Sequence, residues 1–222
     1  MLTLRDKIEE SLSILRYVID TYEGTLAVTF SGGKDSLVVL HLIRTVCHEI
    51  VPIPVFNIDT TVKFPETLEF RDEMARQWHL NLIILKNASA AAKLNIGQDK
   101  KTCCQLLKIT PLKEALAHYG IQGLITAIRW DEQEIRSNEQ PLSPREDPRH
   151  MRIHPLLHFS EADVWDYIHA FRLPYCVLYD QGYRSLSCMP CTQKADSTGS
   201  ERAGREPAKE MVMQDLRLLG YF

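Results

Sequence analysis

No apolar run in the 222-residue sequence approaches the roughly 18 residues that a membrane-spanning helix requires. The opening stretch MLTLRDKIEESLSIL is charged and amphipathic and lacks the apolar heart of a secretory signal. These two absences predict a cytoplasmic chain without a membrane role. A large charge excess is also missing. Lys and Arg number 26 against 29 Asp and Glu, a net of −3, so no global basic field draws nucleic acid. Any nucleic-acid substrate would need a local patch or a partner protein. Internal repeats and low-complexity tracts are absent, which excludes solenoids and disordered tails. In a cytoplasmic chain, six cysteines point to metal or redox chemistry rather than a disulfide framework. No cysteine follows Cys191, a fact that bears on mechanism below.

What is present reads as an α/β chain. With 45% apolar residues, the length supports a substantial single core. Leu4, Ile8, Leu12, Leu15 and Ile19 recur at helical spacing and predict a leading amphipathic helix. Short apolar runs at 25–30, 53–59, 80–86 and 123–129 predict buried strands, and 36–46, 65–78 and 104–120 predict helices between them. Such alternation predicts a parallel sheet with helices on both faces, which binds ligands beyond the carboxyl ends of its strands. After residue 137 the texture changes. NEQPLSPREDPRH reads as a loop or flap, and FSEADVWDYIHAF as a short helix capped by Ser160. Residues 173–205 show no clear period, and PAKEMVMQDLRLLGYF reads as a closing helix. The expected division is a nucleotide-binding core, 1–137, and a loop-rich and helical extension, 138–222.

The stretch VTFSGGKDSLVVLHL places a glycine turn between a strand and a helix, yet it is not a Walker loop: Gly32 and Gly33 adjoin, and Lys34 precedes Asp35 and Ser36. Successive N–H groups in such a turn form an anion nest, reinforced by the helix dipole. Lys34 would add a mobile positive charge and Ser31 and Ser36 hydroxyl donors, while Asp35 would support a metal or orient the turn. In AIRWDEQEIR, Arg129 and Arg136 have the chemistry to clamp phosphate or sulfate, with Asp131 or Glu132 orienting them or holding Mg²⁺. Asp59 falls at a strand end facing the nucleotide side. His154 and His158 have no third ligand at suitable spacing and read as structural, and Cys47 and Cys176 as packing thiols.

SGGKDS matches the signature of the PP-loop ATP pyrophosphatases. FNIDTTVKFPETLEFRDEMA, AIRWDEQEIR, HPLLHFSEADVWDYI and ERAGRE resemble segments of the phosphoadenosine-phosphosulfate reductase and sulfate adenylyltransferase small-subunit family, over roughly residues 25–210. The resemblance implies an adenine nucleotide α-hydrolase-like, Rossmann-like fold. It implies that Ser31, Gly32, Gly33, Lys34, Asp35 and Ser36 grip the β,γ-pyrophosphate of ATP, with Asp59 and Thr60 on the adenosine side. It also implies catalytic duties for Lys34, Asp35, Lys108, Arg129, Asp131 and Arg136, and gives Arg202 and Arg205 of ERAGRE a hold on phosphate or on a partner's acidic tail. Two departures stand out: Ala127 replaces a frequent Gly, and Leu107 replaces the arginine usual beside Lys108.

Cys103 and Cys104, with Cys188 and Cys191, form two pairs whose four thiolates would suit zinc, an iron–sulfur cubane or a dithiol. The adjacent pair is poor for a zinc knuckle. The Cys-Cys…Cys-x-x-Cys pattern resembles the iron–sulfur adenylylsulfate reductases and implies a 4Fe–4S cluster. Those reductases use a cysteine on a C-terminal tail, whereas this chain closes QDLRLLGYF. The leading expectation is therefore an iron–sulfur ATP pyrophosphatase. It would cleave ATP between the α and β phosphates to adenylylate an acceptor for sulfur transfer, as in DNA phosphorothioation, beside a cysteine desulfurase in a homo- or hetero-oligomer. The alternatives are reduction of adenylyl sulfate or phosphoadenylyl sulfate with an external thiol reductant, the small subunit of a sulfate adenylyltransferase, and a nucleotide-sensing scaffold.

Overall fold

The computed structural model describes residues 2–195 and 198–221. Helix α1 (Leu4–Thr21) opens on Thr3, whose hydroxyl accepts from the Asp6 N–H while Asp6 caps Thr3 in return. Its apolar stripe buries Leu12, Leu15 and Val18. Strand β1 (Leu26–Thr29) feeds the glycine turn and α2 (Lys34–Val46); β2 (Val55–Ile58) feeds α3 (Pro65–Gln77), whose first helical residue is proline. Then come β3 (Leu82–Leu85), the short α4 (Ala88–Lys93) and α5 (Lys100–Cys104). A π-helical turn, Gln105–Ile109, joins α5 to α6 (Thr110–His118), and β4 (Gly123–Ile125) follows.

The stretch read as helical over 104–120 is helical without a break to His118, with the π turn Gln105–Ile109 preceding Pro111 in the first turn of α6. A proline lacks the N–H for the i−4 bond, and a π turn absorbs that loss.

The larger difference lies at 138–150. Residues read as a loop form β5 (Leu142–Glu146) and β6 (Arg149–Ile153), an antiparallel hairpin. The sheet order is β3-β2-β1-β4-β6-β5, with every pairing parallel except the outermost. Pro144 is tolerated because β5 is an edge strand. β6 binds β4, with Gly123 opposite Met151 and Ile125 opposite Ile153.

Both sheet faces are covered, as the alternation predicts. One face packs Val28, Val55, Ile125 and Ile153 against α1, α2, α3 and α7 (Glu161–Ala170). The other buries Ala27, Phe56 and Leu124 beneath Leu112, Ala115 and Leu116 of α6. Ser160 caps α7 by accepting from the Asp163 N–H at 3.2 Å. The closing helix is two short ones, α8 (Pro207–Met211) and α9 (Met213–Leu218), and Met213 and Leu216 pack on Cys104, Ile109 and Leu157. Among the described residues no helix is long and apolar enough to cross a membrane. β1 pairs with β2 on one side and β4 on the other, so the crevice beyond their carboxyl ends is the topological switch point of the sheet.

Candidate active site

A cleft of about 240 Å³ opens at that switch point. Its floor is the glycine turn: Ser31, Gly33, Asp35 and Ser36 line it. Gly32 sits at φ +81°, and a β-carbon there would meet the Thr67 carbonyl oxygen at 2.9 Å, so only glycine permits the turn. The turn's own groups bind one another. The Gly33 N–H donates to Ser31 Oγ at 3.2 Å and the Ser31 N–H to Ser36 Oγ at 3.2 Å. The Lys34 N–H donates to the Tyr179 hydroxyl at 2.9 Å.

The Lys34 side chain does not line the cleft. It is 1% exposed, and its ammonium binds Asp35 at 3.0 Å and the carboxylate of Glu201. Arg129, 0% exposed, joins the same group, pairing with Asp35, with Glu201, and with Asp131 at 2.9 Å. Burial opposes the Arg129 charge, but Glu132, Glu201 and Asp131 outweigh it and raise its pKa. Asp131 also accepts from the Glu161 N–H at 2.8 Å, tying this group to α7. Glu132 accepts from the Arg129 N–H at 2.9 Å and pairs with Arg136. Burial alone would raise the Glu132 carboxyl; Arg136, Arg129 and Arg202 bring it down to about 2. Both acids read as Mg²⁺ ligands are thus engaged with protein groups.

Asp59 caps its own turn by accepting from the Thr61 N–H at 2.8 Å, and meets Lys86 at 3.3 Å. Thr60 is buried beside Cys188, its hydroxyl 3.1 Å from the sulfur. Neither residue lines the cleft. Apolar side chains from β2, from α6 and from the residue that follows β1 do, among them Phe30, Phe56, Ile58 and Leu112.

Of the cations that line the cleft, Lys108, Arg136, Arg202 and Arg205 are expected from the sequence, and Lys63, Arg152 and Lys209 are not. Lys63, Lys108, Arg205 and Lys209 line it, and among the described residues no carboxylate pairs with any of them. Lys108 contacts Ser187 Oγ at 3.2 Å and the Tyr221 hydroxyl at 3.1 Å; Lys209 reaches the same hydroxyl at 3.0 Å. Arg205 donates to Ser185 Oγ at 2.7 Å and to the Leu186 carbonyl at 2.8 Å. Burial raises the Tyr221 phenol, but Lys108 and Lys209 together draw it down to about 7. Burial, then the neighbouring Lys108, lowers Lys63 to about 8. Arg202 also lines the cleft, yet Glu210 holds it at 2.7 Å. Lys63, Lys209, Tyr221 and Glu201 are functional candidates that the motif reading passed over. Each sits inside or beside a quoted segment, but nothing in local spacing shows that they converge.

Cys103, Cys104, Cys188 and Cys191 are buried, form no disulfide, and line one small cavity next to the cleft. Lys108 lines both cavities. Cys103 accepts from the Gly97 N–H at 3.3 Å. Burial alone would raise the Cys188 thiol; Lys108, Lys63 and the Thr60 hydroxyl bring it to about 6. Burial raises Cys191. Among the described residues no three His, Cys, Asp or Glu side chains form a group tight enough for a single metal ion. The donor chemistry itself fits a cubane: four reduced cysteines, lysines that offset negative charge, and hydrogen bonds to sulfur. His154 and His158 are structural, meeting Thr126 Oγ1 at 2.7 Å and the Lys7 carbonyl at 2.9 Å.

Fold and cleft define the class first: an α/β nucleotide-binding fold with its ligand crevice at the switch point of the sheet. Solved structures share this fold. A phosphoadenylyl-sulfate reductase from Candida auris superposes with a TM-score of 0.68 at 22% identity, covering 85% of this chain and 97% of the other. An FMN adenylyltransferase from Candida glabrata gives 0.70 at 20% identity, covering 93% and 73%.

Residues 25–194 match the profile of the phosphoadenosine phosphosulfate reductase domain, and the chain belongs to that family of sulfur-metabolism enzymes. Curated relatives include an adenosine 5'-phosphosulfate reductase of Bacillus velezensis, 30% identical over 90% of this chain and 87% of the relative. Another, from a Geobacillus species, is 29% identical over 88% and 84%.

Proposed function

We propose that the chain reduces adenylyl sulfate, or its 3'-phosphorylated form, to sulfite and AMP with an external thiol. The observation that carries this reading is the convergence of Lys63, Lys108, Arg205 and Lys209 on one cleft without a carboxylate partner. Unpaired cations at a buried site cost desolvation energy, and an anionic ligand offsets that cost. The relatives named as adenosine 5'-phosphosulfate reductases support the same substrate class.

In this reading the adenosine lies against Phe56, Ile58 and Leu112, and the lysines and Arg205 hold the phosphate–sulfate anhydride. A thiolate attacks the sulfate sulfur, the S–O bond to the α-phosphate breaks, and AMP leaves with the electron pair. The product is a thiosulfonate, R–S–SO₃⁻. A second thiol attacks its sulfane sulfur, closes a disulfide and releases sulfite, so two thiols are oxidised as sulfur(VI) becomes sulfur(IV). The cations stabilise charge that grows on the AMP oxygen as it departs. Cys47 and Cys176 do not line the cleft, and the proposal takes both thiols from an external dithiol. Cys103, Cys104, Cys188 and Cys191 would hold the 4Fe–4S cluster that the resemblance implies. Bound there, it would supply a polarisable, redox-capable centre adjoining Lys108.

The second reading, an ATP pyrophosphatase feeding sulfur transfer, draws on the lettering SGGKDS. Incubation with adenylyl sulfate and a dithiol separates the two. The proposal expects AMP and sulfite in equal amounts and no AMP from ATP with Mg²⁺. Release of AMP and pyrophosphate from ATP would replace it with the second reading.

A further inference from the structure

The phosphate loop carries the lettering of a pyrophosphate binder, but its charges are already matched inside the protein. Lys34 and Arg129 contribute two positive charges; Asp35, Asp131 and Glu201 contribute three negative ones. The buried group is thus net negative by one charge. Glu201 is the member that comes from far along the chain, and one carboxylate oxygen meets Lys34 while the other meets Arg129. It is 8% exposed. Three N–H groups of the turn, those of Ser31, Gly33 and Lys34, also donate to protein oxygens.

A bidentate oxyanion that bridges a loop lysine and an arginine is the chemical role of a phosphate group. We infer that Glu201 is a specificity residue: its carboxylate stands in for the pyrophosphate of a nucleotide and bars ATP from the loop, so that AMP and its sulfate anhydride are selected. A β- or γ-phosphate entering the turn would meet a net negative group and would have to displace Glu201 from Lys34 and Arg129, which strands the buried Glu201 carboxylate. A ligand whose anion lies on Lys108, Arg205 and Lys209 avoids both penalties. The inference rests on the adenylyl sulfate reading only for the identity of the favoured ligand.

Glu201 is held in place by a backbone that the sequence specifies. It opens a 3₁₀ turn, Glu201–Gly204, which ends where Thr192 pairs with Arg205. A β-carbon on Gly204 would strike the Gln193 carbonyl, so glycine is required for the turn to lie this close. The spacing in ERAGRE therefore delivers Glu201 to the loop and Arg205 to the cleft from one short segment.

The test is the ratio of ATP to AMP affinity, measured by calorimetry on the intact chain and on Glu201→Ala. The wild type is expected to bind AMP more tightly than ATP. In E201A the ratio should move toward ATP by about tenfold or more, the scale of one charge-assisted hydrogen bond to the incoming phosphate. ATP should also raise the variant's melting temperature by more than it raises that of the wild type, while the rise with AMP stays the same in both. Wild type that already prefers ATP overturns the inference without any variant. So does a folded E201A with an unchanged ratio. Should E201A not fold, Glu201→Gln keeps the side-chain length and a carbonyl acceptor while removing the charge, and a shift in the same direction is expected. Failure of adenylyl sulfate to bind the wild type, with the E201A shift present, would overturn the proposed function and leave the role of Glu201 standing. Sulfite formation with no E201A shift would do the reverse.

Discussion

Replacing Lys108 with methionine tests the anion site where it adjoins the cysteine cavity. Methionine keeps most of the aliphatic stem and removes the ammonium. That ammonium lies 3.2 Å from Ser187 Oγ and 3.1 Å from the Tyr221 hydroxyl, with no carboxylate to share its charge. A hydrogen bond to a charged group contributes about 1.5–3 kcal/mol, so AMP affinity should fall about 10- to 150-fold. Adenosine, which lacks the anion, should bind within about twofold of wild type, because K108M leaves Phe56, Ile58 and Leu112 in place. Equal losses for AMP and adenosine would mean that the cleft itself has collapsed, and an unchanged AMP affinity would refute the assignment. A second readout comes from Cys188. Burial alone would raise its thiol, and Lys108, Lys63 and the Thr60 hydroxyl together bring it to about 6. At pH 7 it is mostly thiolate in the wild type. K108M should raise that value and slow alkylation of cluster-free protein at pH 7, with the rate recovering as pH rises.

Three further outcomes follow from the same structure. Lys63, lowered to about 8 by burial and then by Lys108, is charged below that pH and neutral above it. AMP affinity should therefore fall between pH 7 and 9, and Lys63→Gln should flatten that part of the titration curve. Glu139 lies under Arg145 and Arg217 at 2.8 and 2.7 Å, and these offset burial to hold its carboxyl at about 2, below its ordinary 4.5. Its contribution to stability is full above about pH 4.5 and is lost as pH falls toward 2; the urea midpoint of Glu139→Gln should lose that portion of the acid dependence. Anaerobically purified Cys188→Ser should lose iron and sulfide relative to wild type, and unchanged iron content would refute the cysteine assignment.

Much of this architecture was legible because local chemistry dictates it. The apolar run before Ser31, the glycine turn and Pro65 at the head of α3 each follow from backbone or capping rules. The β5–β6 hairpin was not legible. Buried His150 and Arg152 mask the apolar alternation of β6, and Pro144 reads as a breaker until the strand is seen to lie at an edge. The site divides in the same way. The cysteine pairs announce themselves by spacing and meet in one cavity. Lys34 carries the lettering of a phosphate ligand, but its partner Glu201 is 167 residues away, and only tertiary structure brings them together. Lys63 and Lys209 are single lysines in amphipathic surroundings, and their charge becomes meaningful only once Lys108 and Tyr221 stand beside them.

The central claim is that the cleft cations without a carboxylate partner serve sulfonyl transfer from the adenylyl–sulfate anhydride to an external thiol. The most direct measurement is anaerobic incubation of the purified protein with sulfur-labelled adenylyl sulfate, with and without a dithiol. The account predicts labelled sulfite only when the thiol is present, in one-to-one ratio with AMP. Labelled adenylyl sulfate that stays intact with the thiol, while ATP yields AMP and pyrophosphate, would contradict it.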